Sequence, residues 1–485
     1  MTRTLHGVDH RIQHHMKNLR NGSILRMLQS PDPLKQHVAA VCCRYMLALE
    51  RPLIREVTSA GLLPGLVRLL SSTDPKLAHE AAWALCNFAM GSAHDTRVLV
   101  DHDALPPLIE LLRLPNSLMS YRLAVVAAQA LGNIAHDHRD VILNNNVLSR
   151  LLELISHCID TSHRHLIVAE LIRVCSSTLC KLCTENPRPP WFVVSRALPT
   201  LVLLLTATDE IVLRNACSAL ESFFAPLRGD FSDDASLLSA LHAGALSSRL
   251  VELSVHPNQE ISIPVLRTLL HASRQNLDAV VALGVMHTLP QSLATPFAPR
   301  IFAVRILGSI CAQDVQRVLD AGLMHTLCAI PLTDVDPYLA FFVAEALYDA
   351  AYLATGQQTH ALVAAGCLST ITHTLHYCTY PRFDKYALQI VHFSLTTLEL
   401  ILRQGQPLDE PTNAFADELV RLDAATHVEF YITDQPKHIA DRAMLLSSLY
   451  LHPMPHPVFE PVVEQSCYNG VEQSCYNGLP LFDLV

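Results

Sequence analysis

A short pattern recurs along this chain every 38–50 residues, about 44 on average, and this recurrence limits the architecture more than any other feature. Each copy is a Gly or polar residue, two apolar residues, a Pro, Ser or His, and then an amphipathic run. The copies begin at Gly61, Asp103, Asn146, Arg196, Gly244, Gly284, Gly322 and Gly366. A second apolar run follows each of the first seven, at 80–89, 126–135, 174–183, 215–224, 264–273, 302–311 and 342–351. Apolar residues in these runs fall at i, i+3, i+4 and i+7, with Ala where helices must approach closely. The period lies in the window of about 40–47 residues typical of two- and three-helix solenoid repeats. One unit cannot bury its own apolar faces, so units must stack into a superhelix with a concave wall. The expected class is all-α, an α-solenoid, over residues 23–450.

Composition agrees. Glycine is 16 of 485 residues and aromatics are 6%, which disfavours an all-β chain. Half the residues are hydrophobic and 16% are charged, which excludes a disordered chain. The net charge of −10 argues against nucleic acid and acidic membranes and for basic partners. Residues 1–22 are polar and His-rich, without the apolar core of a signal peptide. No run reaches the ~18 apolar residues of a membrane span. A cytoplasmic or nuclear protein with reduced cysteines is expected. Residues 451–485, with the octapeptide of 463–470 repeated at 471–478, read as a mobile tail.

No catalytic constellation is present: no phosphate-binding glycine loop, nucleophile elbow or HExxH occurs, so an enzyme is not expected. Cys180 and Cys183 form a lone CxxC inside an apolar helix and read as core rather than a metal site, so neither metal nor cofactor is expected. The informative feature is the second helix of each unit. Trp83 and Asn87 lie one turn apart on one face, as do Gln129 and Asn133, with Asp137 a further turn along. Asn amides can pin an extended peptide backbone, an indole can hold the stem and cation of Lys or Arg, and a carboxylate can pair with the ammonium. Spacing alone favours core packing over peptide binding. Trp191, after Pro189 and Pro190, reads as a packing plug.

These residues also carry a resemblance. Segments 79–112 and 129–155 resemble the second and third armadillo repeats of the importin-α family, and 181–205 resembles its link between repeats 4 and 5; these are the adaptors that carry proteins with basic nuclear localisation signals to importin β. The resemblance implies a right-handed armadillo superhelix and an adaptor working in cytoplasm and nucleus. It implies that Trp83, Asn87, Gly91 and Thr96 belong to the major peptide site, that Asn133 is the next ladder amide, and that Asp137 pairs with the key signal lysine. Gln129 stands where the family has a second ladder Trp. Further along, the Trp/Asn pairs become Ser177/Lys181 and Ser218/Ser222, and Lys181 puts a positive charge where a basic peptide should run. In the minor-site region the pairs become Arg305/Ser309 and Glu345/Asp349, and Arg267 matches a family Arg beside His271, which leaves Arg267, Glu345 and Asp349 as a weak second site. Residues 11–23 resemble only the end of the family's importin-β-binding segment, with Arg11, Lys17 and Arg20, so importin β is a doubtful partner. The alternative is an armadillo scaffold whose groove is retuned for a different protein.

Overall fold

In a computed structural model the described residues are 22–160, 166–184, 189–224, 245–295, 298–332, 337–378, 386–405, 413–433 and 435–451. Nearly all of the two terminal segments, with the duplicated octapeptide, lies outside them. Among the described residues every regular element is helical.

Ten inner helices form the spine: α1 (Pro33–Leu47), α2 (Pro75–Phe88), α3 (Leu118–Asn144), α4 (Leu166–Thr184), α5 (Glu210–Phe224), α6 (Gln259–Gln275), α7 (Ala298–Cys311), α8 (Pro337–Tyr352), α9 (Ala387–Gln404) and α10 (Lys437–Leu446). Each packs on the next, and shorter helices such as Leu63–Leu69, Leu105–Glu110 and Val147–Asp160 cover one side of the row. The apolar runs predicted from the sequence fall on α2–α8, the first ending on the C-cap Ala89 of α2. The buried residues of α2 and α3 are mostly Ala and Leu, and the small side chains let neighbouring helices approach. One continuous core of fully buried Leu, Ile, Val and Ala runs from Ile24 to Leu451. The architecture is an α-solenoid.

Local chemistry sets the helix starts. Asp32 and Asp74 cap α1 and α2 by accepting from Leu34 and Lys76 backbone N–H groups, each with Pro in the first helical position. The first residue of the repeated pattern has a backbone reason. Gly61, Asp103, Asn146, Gly284, Gly322 and Gly366 all have φ between 56° and 98°, the left-handed region that Gly, Asp and Asn tolerate best. They turn the chain between two short helices of a unit. Gly22 and Asp423 adopt the same conformation, at the start of the capping half-unit of residues 23–50 and within the degenerate last unit of residues 413–450 that the sequence suggests. Arg196 is an exception: a 3₁₀ turn over Ser195–Ala197 replaces the left-handed residue there.

Candidate functional site

Three rows of side chains line the open face of α2–α4. The middle row is polar. Asn87 donates from Nδ2 to the Arg44 carbonyl of α1 at 3.3 Å, and Asn133 donates from Nδ2 to the Cys86 carbonyl of α2 at 3.4 Å. Lys181 donates from Nζ to the Gly132 carbonyl of α3 at 3.2 Å. Each of these residues thus tethers its helix to the one before. Asn87 spends one N–H on its tether and has a second to offer a ligand, whereas Asn133 Nδ2 also lies 3.8 Å from Cys86 Sγ. The sequence marked Lys181 only as a misplaced charge; its tethering role depends on a contact 49 residues away.

The first row, one turn back along the helices, starts at Trp83, which is 41% exposed. Its ring is already in use. The Arg44 guanidinium stacks 4.9 Å from the Trp83 centroid, and Arg44 Nε lies 2.7 Å from Glu80 Oε2. His79 meets the indole edge-on at 5.5 Å. Gln129 follows Trp83 in this row and donates from Nε2 to Asn133 Oδ1 at 3.1 Å. Between them a hollow of about 350 Å³ opens, walled by Trp83, Val125, Val126, Ile167 and Val174, with Arg122 and Glu170 among its polar lining residues.

The third row holds the acidic pocket. Thr96 is fully buried, and its Oγ1 lies 3.0 Å from Asp137 Oδ2, 3.0 Å from the Ala93 carbonyl and 3.3 Å from the Ser92 carbonyl. One hydroxyl proton faces three acceptors. His138 Nε2 lies 3.0 Å from the Ala93 carbonyl and so donates to it. The pocket remains short of donors, and an ammonium carries three. Asp137 is exposed at its mouth. Gly91 immediately precedes Ser92, and a Cβ there would come within 2.7 Å of both Ile54 Cδ1 and Asp95 Oδ2. Asp95 closes a capping box with Ser92, accepting from the Ser92 backbone N–H at 2.8 Å, and offsets the positive end of helix Ala93–Asp101. His138 has the one non-helical backbone inside α3, with φ −128° and ψ 42°, and this kink follows directly on Asp137.

The structure therefore brings Trp83, Asn87, Gly91, Thr96, Gln129, Asn133 and Asp137 together on adjoining helices. Arg44, Glu80, Lys181 and His138 complete the site; apart from the positive charge of Lys181, spacing within one helix gave no sign of their parts in it. Trp191 packs edge-on against Phe223 at 5.3 Å, as a plug would.

The second candidate region is built differently. Arg267 pairs with Glu221 at 3.2 Å and stacks 4.9 Å from the Phe302 centroid. Arg305 stacks 4.7 Å from Phe342; burial, then the nearby Arg274 charge, pushes it down to about 10, so it stays cationic. Glu345 is raised by burial against the pull of Arg305 and Arg274. Burial, then the Glu345 carboxylate, pushes Asp349 up to about 7. These two carboxylates are half-buried members of a charged network.

A pH dependence follows. Between roughly pH 4 and 7 the folded chain keeps a proton on Asp349 that the unfolded chain has released. Stability from this site is full below the unfolded value and is lost as pH rises through about 7. Asp349→Asn should raise stability at pH 8 on the order of 1–2 kcal/mol and leave it unchanged at pH 4. Melting temperatures of both proteins across this range provide the check, and parallel curves would refute it.

The described residues contain no group of three His, Cys, Asp or Glu able to hold a metal, and no helix long and apolar enough to cross a membrane. Cys183 is buried and its thiol is pushed up by that burial, while Cys180 is half-buried.

Known proteins share this plan. A family model for the armadillo/beta-catenin-like repeat matches residues 51–90, which include Trp83 and Asn87. The chain is 34% identical over 251 residues to importin subunit alpha-1b of Oryza sativa subsp. japonica, covering 51% of this chain and 43% of that one. It is 37% identical over 232 residues to importin subunit alpha-2 of Arabidopsis thaliana, covering 47% and 40%. The chain thus spans less than half the length of these relatives. An engineered protein of solved structure superposes with a TM-score of 0.67 over 87% of this chain and 97% of its own at 22% identity, a likeness of fold.

Proposed function

With armadillo repeats as its fold and importin α subunits among its relatives, we propose that this chain is a divergent adaptor holding a basic, extended segment of a partner protein on α2–α4. The partners are proteins carrying basic nuclear localisation signals, met in the cytoplasm and released in the nucleus. One observation supports this above the rest: a pocket of three acceptors sharing one hydroxyl proton, with Asp137 at its mouth, beside a row of amides. A lysine ammonium supplies the missing donors and the charge. Asn87 and Asn133 hold the peptide backbone without reading its sequence.

The rest of the groove reads charge differently. Arg44 covers Trp83, and Lys181 brings a cation close enough to Cys86 to oppose the burial that pushes that thiol up to about 12. A run of consecutive lysines meets repulsion there, so one lysine dominates. The same two cations favour the second reading, a scaffold retuned for a less basic partner.

A salt titration of a labelled basic peptide separates the readings. An ammonium–carboxylate anchor should lose about tenfold in affinity or more as salt rises from about 0.05 to 0.5 M. Binding that ignores salt would favour the scaffold.

A further inference from the structure

We propose that the hollow beside Trp83 takes a large aliphatic or aromatic side chain of the bound peptide, supplied by the residue next to the anchoring lysine. This deepens the proposed function and rests on the lysine pocket being used.

Three observations carry it. First, the hollow is about 350 Å³, enough for one large side chain, and Val125, Val126, Ile167, Val174 and the Trp83 ring give it apolar walls. Gln129 turns its amide along its own helix to Asn133 and leaves this space empty. Second, the surroundings disfavour a cation. Arg44 reaches Trp83 from the preceding helix and stacks on the ring. Arg122 lines the hollow, and Lys181 lies close to Cys86, another of its lining residues. Glu80 is engaged by Arg44 at 2.7 Å, which leaves Glu170 as the carboxylate in the lining. A second lysine would lose its hydration shell among valines, beside like charges, whereas an apolar side chain gains from burial.

Third, the three rows fix the register. The amides of Asn87 and Asn133 form the middle row, the hollow lies one helical turn to one side, and Asp137 lies one turn to the other. Successive side chains of an extended peptide point to opposite sides. A backbone laid along the amides that sends a lysine to Asp137 therefore sends its immediate neighbour to the hollow. The preferred ligand pairs one lysine with an adjoining Leu, Phe or Trp, rather than presenting a run of basic residues.

The test uses the full chain and fluorescein-labelled peptides of the form Ala-Ala-X-Lys-X-Ala-Ala, with X as Leu, Ser or Lys, at 0.15 M salt. The Leu peptide should bind about tenfold more tightly than the Ser peptide. The Lys peptide should gain nothing over Ser. Gln129→Trp fills the hollow, and the Leu advantage should then fall below about threefold. Val126→Ser roughens the wall without adding bulk and should erode the Leu advantage alone, should Gln129→Trp fail to fold. The proposal is overturned if the Lys peptide binds wild-type protein best, or if a folded Gln129→Trp or Val126→Ser protein keeps the full Leu preference. Lysine-dependent binding indifferent to X would sink this inference only. If no peptide shows a lysine-dependent affinity, the lysine pocket itself is refuted.

Discussion

Replacing Asp137 by lysine should abolish binding of a lysine-anchored peptide, weakening it by more than about a hundredfold. The reversal does two things to the pocket. It removes the one full negative charge, 3.0 Å from Thr96 Oγ1, and places an ammonium where the ligand's must go. Two such cations about 4 Å apart repel by about 1 kcal/mol in water and about 4 kcal/mol near a protein surface. The lost attraction adds to that. Asp137→Asn keeps an acceptor and drops only the charge, so its loss should be smaller, about tenfold. Thr96 retains the Ser92 and Ala93 carbonyls in either variant. Asp137 is exposed, so neither change should move folding stability by more than about 0.5 kcal/mol. Anisotropy titrations alongside thermal melts separate binding from folding. An unchanged affinity for the lysine variant would remove the pocket from the mechanism.

How far the sequence reaches can be seen by comparing residues. The repeat was legible because its punctuation is a backbone requirement. A left-handed residue between two helices is best met by Gly, Asn or Asp, and that leaves a mark in most of the units. Gly22 and Asp423 meet the same requirement, but their flanking runs have drifted from the pattern. The ladder was legible because i and i+4 share a helix face, which brings Trp83 to Asn87 and Gln129 to Asn133. What the spacing could not show is which helix each side chain meets next. Arg44 on Trp83 spans 39 residues, and Thr96 to Asp137 spans 41. Those contacts depend on how α1–α4 stack, and stacking depends on the whole row of small side chains. Lys181 illustrates the gap most clearly. Its charge was visible in the sequence; its bond to Gly132, which makes it a tether as well as a charge, required the neighbouring helix.

Gly132→Val should damage the array, costing about 3 kcal/mol. A Cβ at this position would fall 2.5 Å from Thr178 Oγ1 and 3.2 Å from Thr178 Cβ. Thr178 has nowhere cheap to go. It is 2% exposed, and its hydroxyl donates to the Ala128 carbonyl at 3.0 Å. Rotating it away would strand a buried hydroxyl, which costs roughly 1–3 kcal/mol. Otherwise α4 must slide off α3 and stretch the Lys181–Gly132 tether. Gly132→Ala presents the same first atom, but gains up to about 1 kcal/mol of helix propensity and should lose less. Thr178→Ala removes Oγ1 and Cγ2 and leaves only the Cβ at 3.2 Å, so the Gly132→Ala/Thr178→Ala double variant should recover part of the loss, a coupling that a double-mutant cycle measures directly. Stability in a stacked array is a sum of units and nearest-neighbour interfaces. A defect confined to the α3–α4 interface should therefore uncouple the units before it from those after it, and urea unfolding should broaden or split as well as shift to lower concentration. A wild-type midpoint and a single sharp transition for Gly132→Val would mean that α3 and α4 do not approach as closely as the groove requires.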